Sequence, residues 1–114
     1  MKKEHCQCLS APQAYDAYEF VRCVGIDKTK GRYGEVKILR CKICGALWLK
    51  YFVEYEAFRA SGRYFMGLIA EGQARDIKPE EAVDYLRSLD WYLYGGSFFK
   101  DQGRAEDHDI YVDG

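Results

Sequence analysis

The chain has 114 residues, 48% of them hydrophobic and 31% charged, with a formal net charge of −1. That mixture belongs to a folded globular protein and excludes wholesale disorder. The length predicts a single domain over residues 1–114, and no apolar run approaches the ~18–20 residues that a membrane helix needs. The charge is divided unevenly: residues 1–63 hold 12 Lys and Arg against 7 Asp and Glu, and residues 64–114 hold 5 against 11.

In chain order, residues 1–8 carry His5, Cys6 and Cys8. No apolar stretch of the secretory type follows Met1-Lys2-Lys3-Glu4, so a cytoplasmic location is expected. Residues 9–17 read as a connecting loop. Residues 18–26, rich in aromatic and β-branched types, predict a strand, and residues 27–34 a polar, glycine-containing turn. Residues 35–40 alternate cleanly and complete a β-hairpin. After Cys41-Lys42-Ile43-Cys44-Gly45, residues 46–55 alternate Leu47, Leu49, Tyr51 and Val53 against Trp48, Lys50 and Phe52, with large residues on both faces. Residues 56–62 predict a turn and residues 63–70 a further strand.

Residues 79–89 predict a helix. Pro79 suits the first helical position, Glu80 and Glu81 complement the dipole in the first turn, and Ala82, Val83, Tyr85, Leu86 and Leu89 form an apolar stripe. Trp91–Tyr94 then reads as an extended segment broken by Gly95-Gly96. Residues 100–114 are acidic and expected to be loose, apart from Ile110-Tyr111-Val112, which has the composition of an edge strand.

Five cysteines are many for this length, and an odd number without a secretory signal argues against a disulfide scaffold. Cys6-x-Cys8 and Cys41-x-x-Cys44-Gly45 are two half-sites of metal-ligand type. A hairpin between them returns Cys41 to the neighbourhood of residue 18, within reach of the short lead-in from Cys8. Four thiolates at tetrahedral corners are what structural zinc requires. His5 is a substitute ligand for the first half-site. Two other readings stand beside zinc: a redox pair, which usually sits at a helix N-terminus whereas Cys44 leads into a strand, and plain buried thiols. Cys23, in mid-strand with no partner at metal spacing, reads as a small buried hydrophobe. Cys41-x-x-Cys44-Gly45 with its hairpins resembles a zinc ribbon over roughly residues 5–55. The Cys-x-Cys half and the long separation of the half-sites depart from the common pattern, so the resemblance is one of architecture. It implies a closed structural Zn2+ site at Cys6, Cys8, Cys41 and Cys44.

Trp91, Tyr92, Tyr94, Phe98 and Phe99 are either core residues or a binding face for a partner. Arg32, Arg40, Lys42, Lys50, Arg59 and Arg63, with Tyr33, Tyr55 and Tyr64 among them, would suit nucleic acid if they shared one face. Gly95-Gly96-Ser97 lacks the remainder of a phosphate loop. His108 stands alone in the acidic tail, and no nucleophile motif or acid–base pair emerges. The fold expected is therefore α+β: an antiparallel sheet of about four or five strands, one packed helix and a zinc-ribbon end. The function expected is a non-enzymatic protein-binding module with a structural zinc. In general form it resembles small bacterial accessory proteins, among them immunity or antitoxin proteins that cap a toxin. A nucleic-acid-binding zinc ribbon is the alternative, and an enzyme comes third. The oligomeric state is not legible in these residues.

Overall fold

A computed structural model describes residues 6–9, 12, 15–29, 33–53, 62–96, 102–106 and 110. His5, Arg32, Tyr55, Arg59, Phe98, Phe99 and His108 lie outside them. Six strands form one antiparallel sheet in sequence order: β1 (Tyr18–Asp27), β2 (Gly34–Cys41), β3 (Leu47–Val53), β4 (Arg63–Leu68), β5 (Tyr92–Gly95) and β6 (Gly103–Ala105). Between β4 and β5 the chain makes two short helices, α1 (Glu71–Asp76) and α2 (Ala82–Arg87). The protein is thus mixed α+β and mostly sheet.

The alternation read in β2 and β3 sorts side chains onto two faces. Register pairs Val36 with Tyr51 and Ile38 with Leu49, and Tyr51 in turn with Phe65. These residues form one buried core with Ala74, Ile77, Val83 and Leu86 of the helical layer. Burying a side chain of this size stabilises by about 1.5–3 kcal/mol. Two glycines mark where the helical layer touches the strands. A Cβ on Gly67 would meet Leu86 and Leu89 at 2.7 and 2.4 Å, and one on Gly25 would meet Pro79 at 2.8 Å. A strand glycine admits such close approach because it has no side chain of its own.

The opposite face pairs Leu39 with Trp48, Trp48 with Leu68, and Met66 with Leu93. Leu39, Trp48, Met66 and Leu93 form a second buried cluster with Cys6, Cys8 and Cys41. The N-terminal segment therefore covers this face, and β6 helps to hold it: Arg104 Nη1 donates to the Leu9 carbonyl at 3.1 Å, and Gln102 Nε2 to that of Pro12 at 3.3 Å. Trp48 on one face of β3 and Leu49 and Tyr51 on the other are all buried, because each set lies under a different cover.

Four expectations need correction. The helix expected over 79–89 is a 3-10 turn at Pro79–Glu81 followed by α2, which ends at Arg87. Its start is as read, with Glu81 Oε1 accepting from the Lys78 amide at 2.8 Å. Helix α1 was not anticipated, since Ala74 is its one buried residue and no apolar stripe announces it. In the segment expected to be loose, Gly103–Ala105 pairs with β5; Ile110, excepted from that expectation, is buried with its carbonyl accepting from Arg87. Cys23, expected to be buried, is exposed. It lies opposite Lys37 on the sheet face away from the helices, between two irregularities in the β1 register.

Candidate metal centre

The hairpin β1–β2 closes by pairing Tyr18 with Cys41, which sets Cys41 at the sheet edge where the chain from Cys8 arrives. Beyond Cys41 the backbone turns back at once. Gly45 donates to the Cys41 carbonyl at 2.9 Å, and Cys41 donates to the Ala46 carbonyl at 2.9 Å. Gly45 has φ 78°, and no heavy atom lies within 4 Å of where its Cβ would be. Glycine is needed here for backbone conformation, not for space. The Lys42 amide donates to the Ala17 carbonyl at 3.0 Å, fastening the turn to the start of β1. The other half-site is a single 3-10 turn at Gln7–Leu9, closed by Leu9 donating to the Cys6 carbonyl at 3.1 Å.

These two turns bring four thiols together. The Sγ atoms of Cys6, Cys8, Cys41 and Cys44 all lie within 4.8 Å of one another and could hold a metal ion. Cys6 and Cys41 are 3.7 Å apart, and Cys8 and Cys44 are 3.6 Å apart. A disulfide would bring sulfurs to about 2.05 Å, so these are four separate ligand atoms. Three of the cysteines are buried and Cys44 is half-buried.

Electrostatics accounts for what such a centre requires. Burial, then the neighbouring sulfurs of Cys6, Cys44 and Cys41, push the Cys8 thiol far above its ordinary range. Burial also pushes Cys44 up. At Cys41 burial again opposes ionisation, but the backbone amides of Cys44 and Ile43 and the sulfurs of Cys8 and Cys44 outweigh it, lowering the thiol to about 7. Alone, the cluster cannot accommodate four thiolates. A bound cation would supply the missing positive charge, since metal binding displaces the protons.

The structure brings together the four cysteines singled out in the sequence. Of the aromatic candidates, Tyr92 is buried and packs edge-on against Phe65 with ring centroids 5.9 Å apart, which removes it from any surface. Trp91 and Tyr94 are half-buried. The Trp91 ring meets Trp48 edge-on at 6.0 Å and lies under the Arg104 guanidinium at 3.9 Å. The basic candidates do not share a face. Arg63 is buried, and register sets it on the helix side with Phe65, the side on which Arg40 also falls beyond Ile38. Lys50 is on the opposite face, its Nζ 4.7 Å from the centroid of the Tyr64 ring. Lys42 is in the cysteine turn.

Sequence reading missed the exposed apolar residues of β1, Phe20, Val21 and Ile26, together with Phe52 of β3. An alternating strand does not reveal which of its faces is left uncovered. The chain matches no protein-family model, and neither its sequence nor its fold matches a curated protein or a solved structure. No helix among the described residues is long and apolar enough to cross a membrane.

Proposed function

We propose that this protein is a non-enzymatic, protein-binding accessory module whose N-terminal half is a zinc ribbon in architecture, with Cys6, Cys8, Cys41 and Cys44 holding one structural Zn2+. The observation that carries this reading is the closed four-thiol cluster between the Gln7–Leu9 turn and the Cys41–Gly45 turn. Zinc–sulfur bonds of about 2.3 Å in a tetrahedron put sulfurs about 3.8 Å apart, close to the cross-half-site separations of 3.7 and 3.6 Å. A full set of soft ligands leaves no position for water, and closed sites of this kind are structural.

A protein partner is supported by the exposed apolar side chains of β1 and β3, Phe20, Val21, Ile26 and Phe52, gathered toward one edge of the sheet. A general polyanion is the poorer fit. The described basic candidates are split between the two sides of the sheet, and Asp76, Glu80, Glu81 and Asp84 line a single groove on the helix side. The exposed side chains of Phe20, Val21, Ile26 and Phe52 suit capping a surface of another protein, as an immunity or antitoxin protein does.

The test is affinity purification of the tagged full chain from its native host, with metal content measured on the same sample. The reading expects zinc and one stoichiometric protein partner that survives nuclease treatment. Iron in place of zinc contradicts the metal assignment. A nuclease-sensitive complex, or turnover of a small substrate by the purified protein, contradicts the functional one.

A further inference from the structure

With the described N-terminal residues, Leu39, Trp48, Met66 and Leu93 are buried on the second sheet face, whereas Phe20, Ile26 and Phe52 on that face are exposed. There the side chains fall in rows set by register: Phe20 beside Leu39, Cys23 beside Lys37 and then Lys50, Ile26 beside Glu35 and then Phe52. Phe20, Glu35, Lys37, Leu39, Lys50 and Phe52 enclose a cavity of about 190 Å³. Phe20 is 56% exposed, Ile26 43% and Phe52 37%, so the rim is apolar. The centre is cationic. Lys37 and Lys50 are direct cross-strand neighbours, an arrangement that disfavours itself through like-charge repulsion. Glu35, 2.6 Å from the Lys37 ammonium, offsets one of the two charges.

We propose that this cavity is the docking site for a protein segment that presents a carboxylate flanked by apolar side chains, the carboxylate reaching between Lys37 and Lys50 and the apolar groups packing on Phe20 and Phe52. The proposal rests on the protein-binding reading given above and names the chemistry of the partner. Charge decides between occupants. A second copy of this chain, face to face across a two-fold axis, would set one lysine pair against another. A single-stranded nucleic acid would find the rings of Phe20 and Phe52, but Glu35 neutralises Lys37 and leaves the cavity one net positive charge, where a tracked phosphate backbone needs several. Addition of a strand to the outer side of β1, an edge among the described residues, is hindered by the register irregularities between Phe20 and Arg22 and between Cys23 and Gly25, since bulges bend a strand. Docking onto the face sets a carboxylate against a cavity whose lining carries two positive charges and one negative.

The experiment is selection of random displayed peptides on the full-length metal-loaded protein. Synthetic versions of the enriched peptides are then titrated against wild type, Lys37→Glu, Phe20→Ala and the helix-side control Glu80→Lys. Tryptophan emission confirms that each variant is folded. Phe20→Ala removes only an exposed ring, which keeps the test open if the charge reversal perturbs β2. The expected peptides carry Asp or Glu beside Leu, Phe or Trp. Lys37→Glu and Phe20→Ala weaken their binding about tenfold or more, and Glu80→Lys leaves it unchanged. Peptides lacking a carboxylate, or binding both face variants as wild type does, remove this site while leaving the protein-binding reading standing. Enrichment of no peptide overturns the proposal. If fluorescent oligothymidylate then binds in a Lys37-dependent way, the protein-binding reading falls with it.

Discussion

Cys44 and Cys23 share a residue type and almost nothing else. Cys44 has its sulfur 3.6 Å from that of Cys8 and closes the metal cluster, whereas Cys23 is exposed on β1. Structural zinc contributes folding free energy directly, so Cys44→Ser is expected to lower the melting temperature far more than Cys23→Ser. An exposed thiol exchanged for a hydroxyl should stay within about 0.5 kcal/mol of wild type. Thermal melts of the two variants decide this, and equal losses would give Cys23 a structural part that its exposure denies it. Gly45 separates conformation from space in the same way. With φ 78° and open room around its missing Cβ, Gly45→Ala is expected to cost about 1–2 kcal/mol by backbone strain alone. Chemical denaturation of the metal-loaded variant measures it, and a neutral result would show that the turn relaxes without consequence for the ligands.

Among the elements, α2 is the one whose loss would be felt through the whole sheet. Leu86 is fully buried and closes over Gly67 of β4, so Leu86→Ala is expected to cost about 2–5 kcal/mol in a urea titration. A loss below about 1 kcal/mol would mean that the helical layer settles onto β4 without it. The helix was legible in the sequence because Pro79, Glu80 and Glu81 mark its start and an apolar stripe follows. Helix α1 was not, because Ala74 alone is buried and most of its anchoring is tertiary, including the Arg22 guanidinium donating to the Ala74 carbonyl. The long strands β1–β4 were legible through alternation. The three-residue β6 was not, since Gly103, Arg104 and Ala105 carry no pattern and pair only because β5 offers an edge. The cysteine cluster could be read because the spacing of each half-site and a returning hairpin are properties of the chain itself. The open cavity could not, because it depends on which part of the sheet face is left exposed.

At the scale of the molecule, neither side of the sheet is of one charge sign: Glu71, Asp76, Glu80, Glu81 and Asp84 are exposed in the helical layer beside Arg75, Lys78 and Arg87, and Lys37 and Lys50 share the opposite face with Glu35. With net charge −1 and no continuous basic track among the described residues, little counterion release is available to drive polyanion binding. A gel shift with mixed single- and double-stranded DNA and RNA at physiological salt is expected to show no complex at micromolar protein. A shift lost steeply on adding salt would favour a nucleic-acid partner instead.

A metal ion held by the four cysteines would join the N-terminal turn to the β2–β3 turn and so hold the cover over Trp48, Met66 and Leu93. The account stands on that centre, and metal analysis of the natively purified, reduced protein tests it most directly. One zinc per chain, lost together with the fold of the N-terminal half when Cys44 is replaced by Ser, is the predicted result. A metal-free protein that is fully folded, or a disulfide within Cys6–Cys8 or Cys41–Cys44 under reducing conditions, would contradict it.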